Sequence, residues 1–428
     1  DTTGANTQVC PYGNGKLVNT LLVISSAIHY QHDGRLFSYE PYVRELDLWA
    51  ELFPELIIAA PCRNQSPPPD CTPFTRTNIV IRPQRETGGD GPAAKLTQLL
   101  LLPALIFNLC RAMRNADAIH IRCPGNLGLL GAALAPIFSR YLVAKYAGQW
   151  TGYPSEPLAW RWQRALLRSS WWRGPVTVYG DWPNQPPQVV PFFTSMLNAR
   201  QAERARVAAE RRNLDAIRER GLRVLFVGRL SAAKNAGALL EAVAMLKDSA
   251  IECDVVGEGP ERERLEDLAQ SLGIRNRVHF AGGAAFDEVL DFYERDDVLV
   301  LVSETEGWPK AIAEAMAFGL ICIGSDRGLI PIMLGEGRGV VVPPANAAKL
   351  AEAIEHIIAA PERYIETIKR ASAWSRRYSL EGLKRAIREL LIERWNLPSG
   401  QLFCADQHGS NQKGIRENPP HPRHPRTY

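Results

Sequence analysis

The stretch Val298-Leu-Val-Leu-Val302 runs into Ser303-Glu-Thr-Glu306-Gly307-Trp308-Pro309, then Lys310-Ala-Ile-Ala-Glu314-Ala-Met-Ala-Phe318, and stops at Gly319. It reads as a short continuous apolar strand, a loop, and a helix that opens at a proline and ends at a glycine. A strand without polar alternation is covered on both faces, as in a parallel sheet lying between helices. The same unit recurs on either side. Upstream, strands are predicted at 222–227, 251–256 and 278–281, each followed by a helix, near 235–247, 261–272 and 286–293. Downstream come strands at 320–324 and 339–342 and a helix at 347–358. This alternation predicts a doubly wound α/β domain over 222–373.

Residues 1–195 repeat the pattern more loosely. Strands are expected at 19–25, 56–60, 118–121, 141–144 and 176–178, with a helix near 39–53. A proline-rich loop spans 62–73, and an apolar helix around 94–114 reads as buried and bent at Pro103. The run 196–221, rich in Ala, Arg and Glu, reads as an exposed linker helix. Residues 374–395 form one amphipathic stretch with no strand after it. The tail 397–428, rich in Pro, His, Asn and Gly, is expected to be disordered. The fold class that follows is α/β, with two Rossmann-like doubly wound domains.

Composition narrows the function. A chain of 428 residues with 46% hydrophobic and 22% charged residues is that of a globular protein of two domains. The net charge of +4 gives no ground for a nucleic-acid partner. Eight scattered cysteines without close pairs form neither a metal site nor a disulfide framework, which points to a reducing, cytoplasmic setting. No apolar run reaches the length of a spanning helix, and Asp1–Lys16 has no signal-peptide design. Peripheral contact with the inner membrane face stays open.

Ligands of open α/β sheets bind at the carboxyl ends of strands. Gly228 ends one such strand, so Arg229 and Lys234 leave the sheet on that rim, where an arginine fork and a lysine charge can neutralise a diphosphate. Gly257 and Gly259 follow the next strand and allow a tight turn or close backbone approach. Glu306, Gly307, Trp308 and Pro309 form the loop quoted above. Glu306 can reach sugar hydroxyls, Glu314 can accept both hydroxyls of a ribose, and the free N–H groups at the helix start attract anions. In the first half, His120 and Arg122 share one side of a strand, as residues two apart do, and are candidates for a cleft wall. Gly34, within His32-Asp-Gly-Arg35, follows the first strand as a second candidate. Trp150 and Tyr153 offer an aromatic surface for a sugar.

Taken in order, these features resemble the retaining GT-B glycosyltransferases of family 4, the group 1 transferases. The resemblance runs from about Leu222 to Ile358 and rests on Gly228-Arg229-Leu230 with Lys234, Gly257-x-Gly259-Pro260, and Glu306 with Glu314 eight positions on. Trp374-Ser-Arg-Arg-Tyr378 is similar to the family's segment before a helix that crosses back, which assigns 374–396 to the first domain. The resemblance implies transfer of a sugar from a nucleoside-diphosphate donor with retained anomeric configuration. Arg229 and Lys234 would hold the diphosphate and stabilise the leaving group, Glu306 the donor sugar, and Glu314 the ribose. No metal and no cofactor are implied. The acceptor would be a carbohydrate, a lipid-linked molecule or a small molecule, in surface-polysaccharide, glycolipid or metabolite synthesis. Three departures stand out. Arg122 replaces the family's usual histidine, the glycine-rich first loop is reduced to Gly34, and no acid follows Pro331. The rivals are a nucleotide-sugar 2-epimerase on the same fold and a non-catalytic nucleotide-sugar-binding subunit.

Overall fold

The structure, a computed structural model, describes residues 18–86, 92–153 and 156–398. The tail from 399 onward, expected to be disordered, lies outside the described residues.

The second sheet has six parallel strands, in spatial order Val278–Gly282, Ile251–Val256, Leu222–Val227, Val298–Leu301, Ile321–Ser325 and Val340–Val342. Numbered along the chain this is 3-2-1-4-5-6, the dinucleotide-fold order, whose connections reverse direction between strands 1 and 4. Those two strands pair directly, Val224 with Val298 and Leu225 with Leu299. All four residues of Val298–Leu301 are buried. The helix Phe286–Arg295 buries Phe286, Val289, Leu290 and Tyr293, while Lys310–Ala317 buries Ile312, Ala315 and Met316. At the foot of strand 4, Asp297 accepts hydrogen bonds from both terminal nitrogens of Arg220 and from the Arg223 amide.

The first sheet has a parallel body running Val189–Phe192, Val176–Tyr179, Tyr141–Tyr146, Ala118–Cys123, Thr20–Ile24, Glu55–Arg63 and Ile79–Gln84. The end of Glu55–Arg63 also carries an unexpected hairpin, His29–His32 with Arg35–Tyr39, extended by Cys71–Pro73. Its two-residue turn is Asp33-Gly34, with φ of 47° and 72°. That is the Asp-Gly turn whose twist matches paired strands, so the segment expected to line a cleft as a loop is strand-paired instead.

Two other expectations change. The helix Pro92–Arg114 runs through Pro103; from Leu100 onward it buries Leu105, Leu109 and Met113 and leaves Leu100 and Phe107 exposed. The linker is two helices, Ala199–Glu210 and Ala216–Arg220. The first is held by an Asn198–Gln201 capping box, buries Gln201 and Ala205, and packs on Lys310–Ala317 and Ile365–Ser375.

The stretch 374–395, read as one helix, breaks after Ser375, and the second helix, Leu380–Trp395, starts where Ser379 Oγ caps the Gly382 amide. This helix docks on the first domain. Trp395 Nε1 donates to the Leu142 carbonyl at 2.9 Å, and Lys384 pairs with Glu51. The two chain crossings lie side by side, joined by Leu380 N to Leu197 O at 2.9 Å and Ser195 Oγ to Tyr378 O at 3.0 Å. Beside them Trp308 stacks on Trp374, 6.2 Å between ring centres, with Tyr179, Phe193 and Tyr378 around it.

Candidate active site

The reversal between strands 1 and 4 sends their two following loops into the same space. Lys234 and Glu306, 72 positions apart, form an ion pair there, the lysine side chain 26% exposed and the glutamate 9%. Their loops are laced together. Glu304 N donates to Ala233 O at 2.8 Å, and Asn235 Nδ2 donates to Val302 O at 3.1 Å and Glu304 Oε1 at 2.9 Å. Asn235 has a left-handed backbone, φ 51°, which asparagine tolerates better than most residues. Sequence reasoning passed over it. The signal was an asparagine directly after the candidate lysine, at a helix start.

Arg229 stands exposed on the same rim, with no ion pair or hydrogen bond from its side chain among the described residues. Across the cleft, Tyr39 lies within electrostatic reach of both Arg229 and Glu314. The rim therefore offers one unengaged guanidinium and one lysine already matched with a carboxylate.

Gly257 and Gly259 have a bracing role. A Cβ on Gly257 would come within 2.0 Å of the Gly228 carbonyl oxygen, and one on Gly259 within 2.2 Å of the Leu230 oxygen. Leu230 N donates to Glu258 O at 2.9 Å and Glu261 N to Leu230 O at 3.0 Å. The glycine loop thus clamps the backbone that carries Arg229.

Glu314 is buried at 6% exposure, and Tyr293 Oη donates to its Oε2 at 2.9 Å. Burial pushes its pKa up to about 7, against the pull of the tyrosine and of Lys310 one turn earlier. With one oxygen taken by Tyr293, the other is left to meet a hydroxyl, accepting from it when ionised and donating to it when protonated. The helix Lys310–Ala317 opens at Pro309 with no side-chain cap, so its first amides remain available to an anion. Gly307 lets the domains touch. A Cβ there would lie 2.9 Å from the Gly148 carbonyl carbon, and alongside it Thr305 Oγ1 donates to Gln149 Oε1 at 3.0 Å. Trp308, expected to bind donor, instead points into the interdomain aromatic cluster at 5% exposure.

The first-domain candidates separate more sharply. His120 and Arg122 do share a side, but the helix Glu40–Ala50 covers it. His120 is fully buried 4.4 Å from the Trp49 ring, and burial, with Arg122 nearby, pulls its pKa down to about 3. It is a core residue and not a cleft wall. Arg122 lies over the Tyr42 ring and pairs with Glu45 at 2.7 Å, while Lys145 takes the other Glu45 oxygen at 2.6 Å. Burial alone would raise the Glu45 carboxyl, but the two cations hold it near 2. Trp150 is buried at 3%, donates to Gln185 at 3.0 Å and meets Tyr146 edge-on, so it is no sugar platform. Tyr153 is half-buried. Gly34 sits at the hairpin tip with nothing within 4 Å of an added Cβ, and the turn accounts for it. No cluster of His, Cys, Asp and Glu able to hold a metal occurs among the described residues.

Residues 209–374, which contain this whole group of second-domain residues, match the family model described as glycosyl transferases group 1. The second domain resembles the group 1 glycosyltransferases. A curated relative, alpha-D-kanosaminyltransferase of Streptomyces kanamyceticus, is 31% identical over 142 residues, 32% of this chain and 37% of that protein. The matched stretch spans under two fifths of the length of the first curated relatives. Among solved structures, sucrose-phosphate synthase from Thermosynechococcus elongatus aligns at a TM-score of 0.65 and 20% identity, covering 89% of this chain and 100% of that one. Anabaena HepE in complex with UDP and glucose aligns at 0.63 and 16%, covering 87% and 98%. Likeness at this identity shows the fold, which is GT-B: two Rossmann-like domains facing across a cleft.

Proposed function

We propose that this chain is a glycosyltransferase that moves a sugar from a nucleoside-diphosphate donor to an acceptor hydroxyl, with retention at the anomeric carbon. The observation that carries the reading is the meeting of Lys234 and Glu306 at the strand reversal, with Arg229 unengaged beside them. An ammonium has three donors and Glu306 occupies one, so Lys234 can donate to a phosphate oxygen while still orienting the carboxylate. Arg229 supplies a planar fork for the second phosphate. As the bond to the sugar breaks, negative charge grows on the leaving diphosphate, and fixed cations stabilise that charge more than the ground state. Glu306 then faces the sugar hydroxyls, and the free oxygen of Glu314 a ribose hydroxyl. The group 1 match over these residues, and the UDP and glucose named for HepE, support a nucleotide-sugar donor.

The second reading, a nucleotide-sugar binder without turnover, draws on one observation. Arg122, at the place of the family's histidine, is tied to Glu45 and puts no imidazole there. One experiment separates the two. The protein is screened by thermal shift against nucleoside diphosphates and their sugars, and stabilising donors are then followed for free diphosphate release with candidate acceptors. Transfer is expected from the wild type, with the product's anomeric proton coupling reporting retention. Stabilisation without release favours the binder, and release of an epimerised sugar favours an epimerase.

A further inference from the structure

We propose that the outer face of three first-domain helices seats this protein on an anionic lipid surface. The inference rests on that surface alone and stands apart from the reaction. The helices Pro92–Arg114, Asn126–Phe138 and Leu158–Arg168 pack side by side against one face of the first sheet. Their inner residues, among them Leu105, Leu109, Leu127, Ala132 and Leu167, fill the core. Their outer residues do not turn polar. Leu100, Phe107, Ile137, Leu158, Trp162 and, just beyond, Trp171 are 73, 66, 65, 62, 67 and 41% exposed. These are six of the eleven large hydrophobic side chains exposed among the described residues, gathered on one face.

Helical spacing makes each stripe continuous. Positions 100, 104, 107, 111 and 114 fall on one line of the first helix, all exposed, apolar at the start and arginine at the end. On the third helix Leu158, Trp162 and Ala165 are flanked by Arg161 and Arg168, again all exposed. The arginine side chains at 111, 114, 161, 168 and 173 have no ion pair or hydrogen bond among the described residues. From Leu100 to Arg173 the chain has nine Lys and Arg against Asp117 and Glu156; Arg122 and Lys145 are buried on Glu45 and Arg164 pairs with Glu156, which leaves Arg111, Arg114, Arg140, Arg161, Arg168 and Arg173 exposed.

Exposed Trp, Phe and Leu among long basic side chains suit a headgroup boundary, where rings enter the interface and guanidinium groups reach phosphate. The charge selects the occupant. A second copy would bring one positive face against another, whereas anionic lipid complements it. The second and third helices follow the carboxyl ends of Ala118–Cys123 and Tyr141–Tyr146, the rim where Gln149 accepts from Thr305. Seating on this face brings the mouth of the cleft beside the lipid.

The test is co-sedimentation of the full chain with vesicles of phosphatidylcholine, alone or mixed with phosphatidylglycerol. Binding is expected only to the mixed vesicles and should weaken as salt rises. Phe107→Glu with Trp162→Glu should weaken it by more than roughly tenfold. Arg161→Gln and Arg168→Gln should each weaken it about fivefold. All four sites are exposed, so melting curves should match the wild type. The proposal is overturned if wild type binds neither vesicle, if the glutamate variant binds equally well, or if the same variant instead breaks a dimer or a protein complex.

Discussion

Each domain places two cations beside one carboxylate at the carboxyl ends of its parallel strands, yet the two groups differ in what covers them. In the second domain, Lys234 is 26% exposed on Glu306 and Arg229 is free at the rim. In the first, Arg122 and Lys145 share Glu45, with exposures of 14, 5 and 5%, under the helix Glu40–Ala50. Strand-end position brings charge to a crevice, but the neighbouring helix settles whether a ligand or another side chain receives it. A buried pair is desolvated whether or not it is useful, so the first group holds structure and the second is available for chemistry.

Removing the shared carboxylate tests that contrast most severely. Glu45→Ala leaves two cations buried and unmatched, and should cost about 3–5 kcal/mol of stability by urea unfolding. Replacing Lys234 by Ala should leave the melting temperature within a few degrees. With a donor and acceptor in hand, its turnover should fall about 10²–10³-fold, and Arg229→Ala should do the same. If Arg122→Ala lowered turnover as far while leaving stability intact, the contrast would be lost.

A pH titration sharpens it further, because the two domains carry buried groups shifted in opposite directions. Between about pH 6.5 and 3 the unfolded chain protonates His120 and the folded chain does not, so stability falls as acid is added. Between about 4.5 and 7 the folded chain keeps a proton on Glu314 that the unfolded chain releases, so stability falls as pH rises. Each slope has a ceiling of about 1.4 kcal/mol per pH unit, and between pH 4.5 and 6.5 they oppose each other. His120→Leu should therefore tilt the urea-midpoint profile downward with rising pH there, and Glu314→Gln should tilt it upward.

The smallest expected effect concerns the lacing of the two loops. Asn235→Gly keeps the left-handed backbone but loses the bonds to Val302 and Glu304, for about 1–2 kcal/mol. Asn235→Ala loses the backbone preference as well and should be somewhat worse. Both should lower turnover less than Lys234→Ala, since they loosen the lysine's support without removing it.

The second domain was legible because its signals are local. Each continuous apolar strand is followed within a few residues by its loop and helix, and Arg229, Lys234 and Glu306 sit directly after strand ends. Less visible was the clearance that Gly257 and Gly259 give the Gly228 and Leu230 carbonyls. In the first domain Asp33-Gly34 is itself a hairpin-turn signal, although the strands it joins are only four and five residues long. The exposed apolar helices there look buried in sequence, since an apolar residue reads the same whether it faces a core or a lipid.

The sequence by itself determined the alternation of strands and helices, the rim on which the charged residues emerge, and the shared side of His120 and Arg122. Those follow from periodicities of 2 and 3.6 residues, which the chain carries wherever it folds. Only the tertiary structure decided what faces that side. Glu45 lies 77 residues from Arg122 and 100 from Lys145 along the chain, and no local pattern links a helix to charges so distant. The crossing order of the strands likewise brought Lys234 to Glu306, because a ligand crevice is made by loops that meet in space.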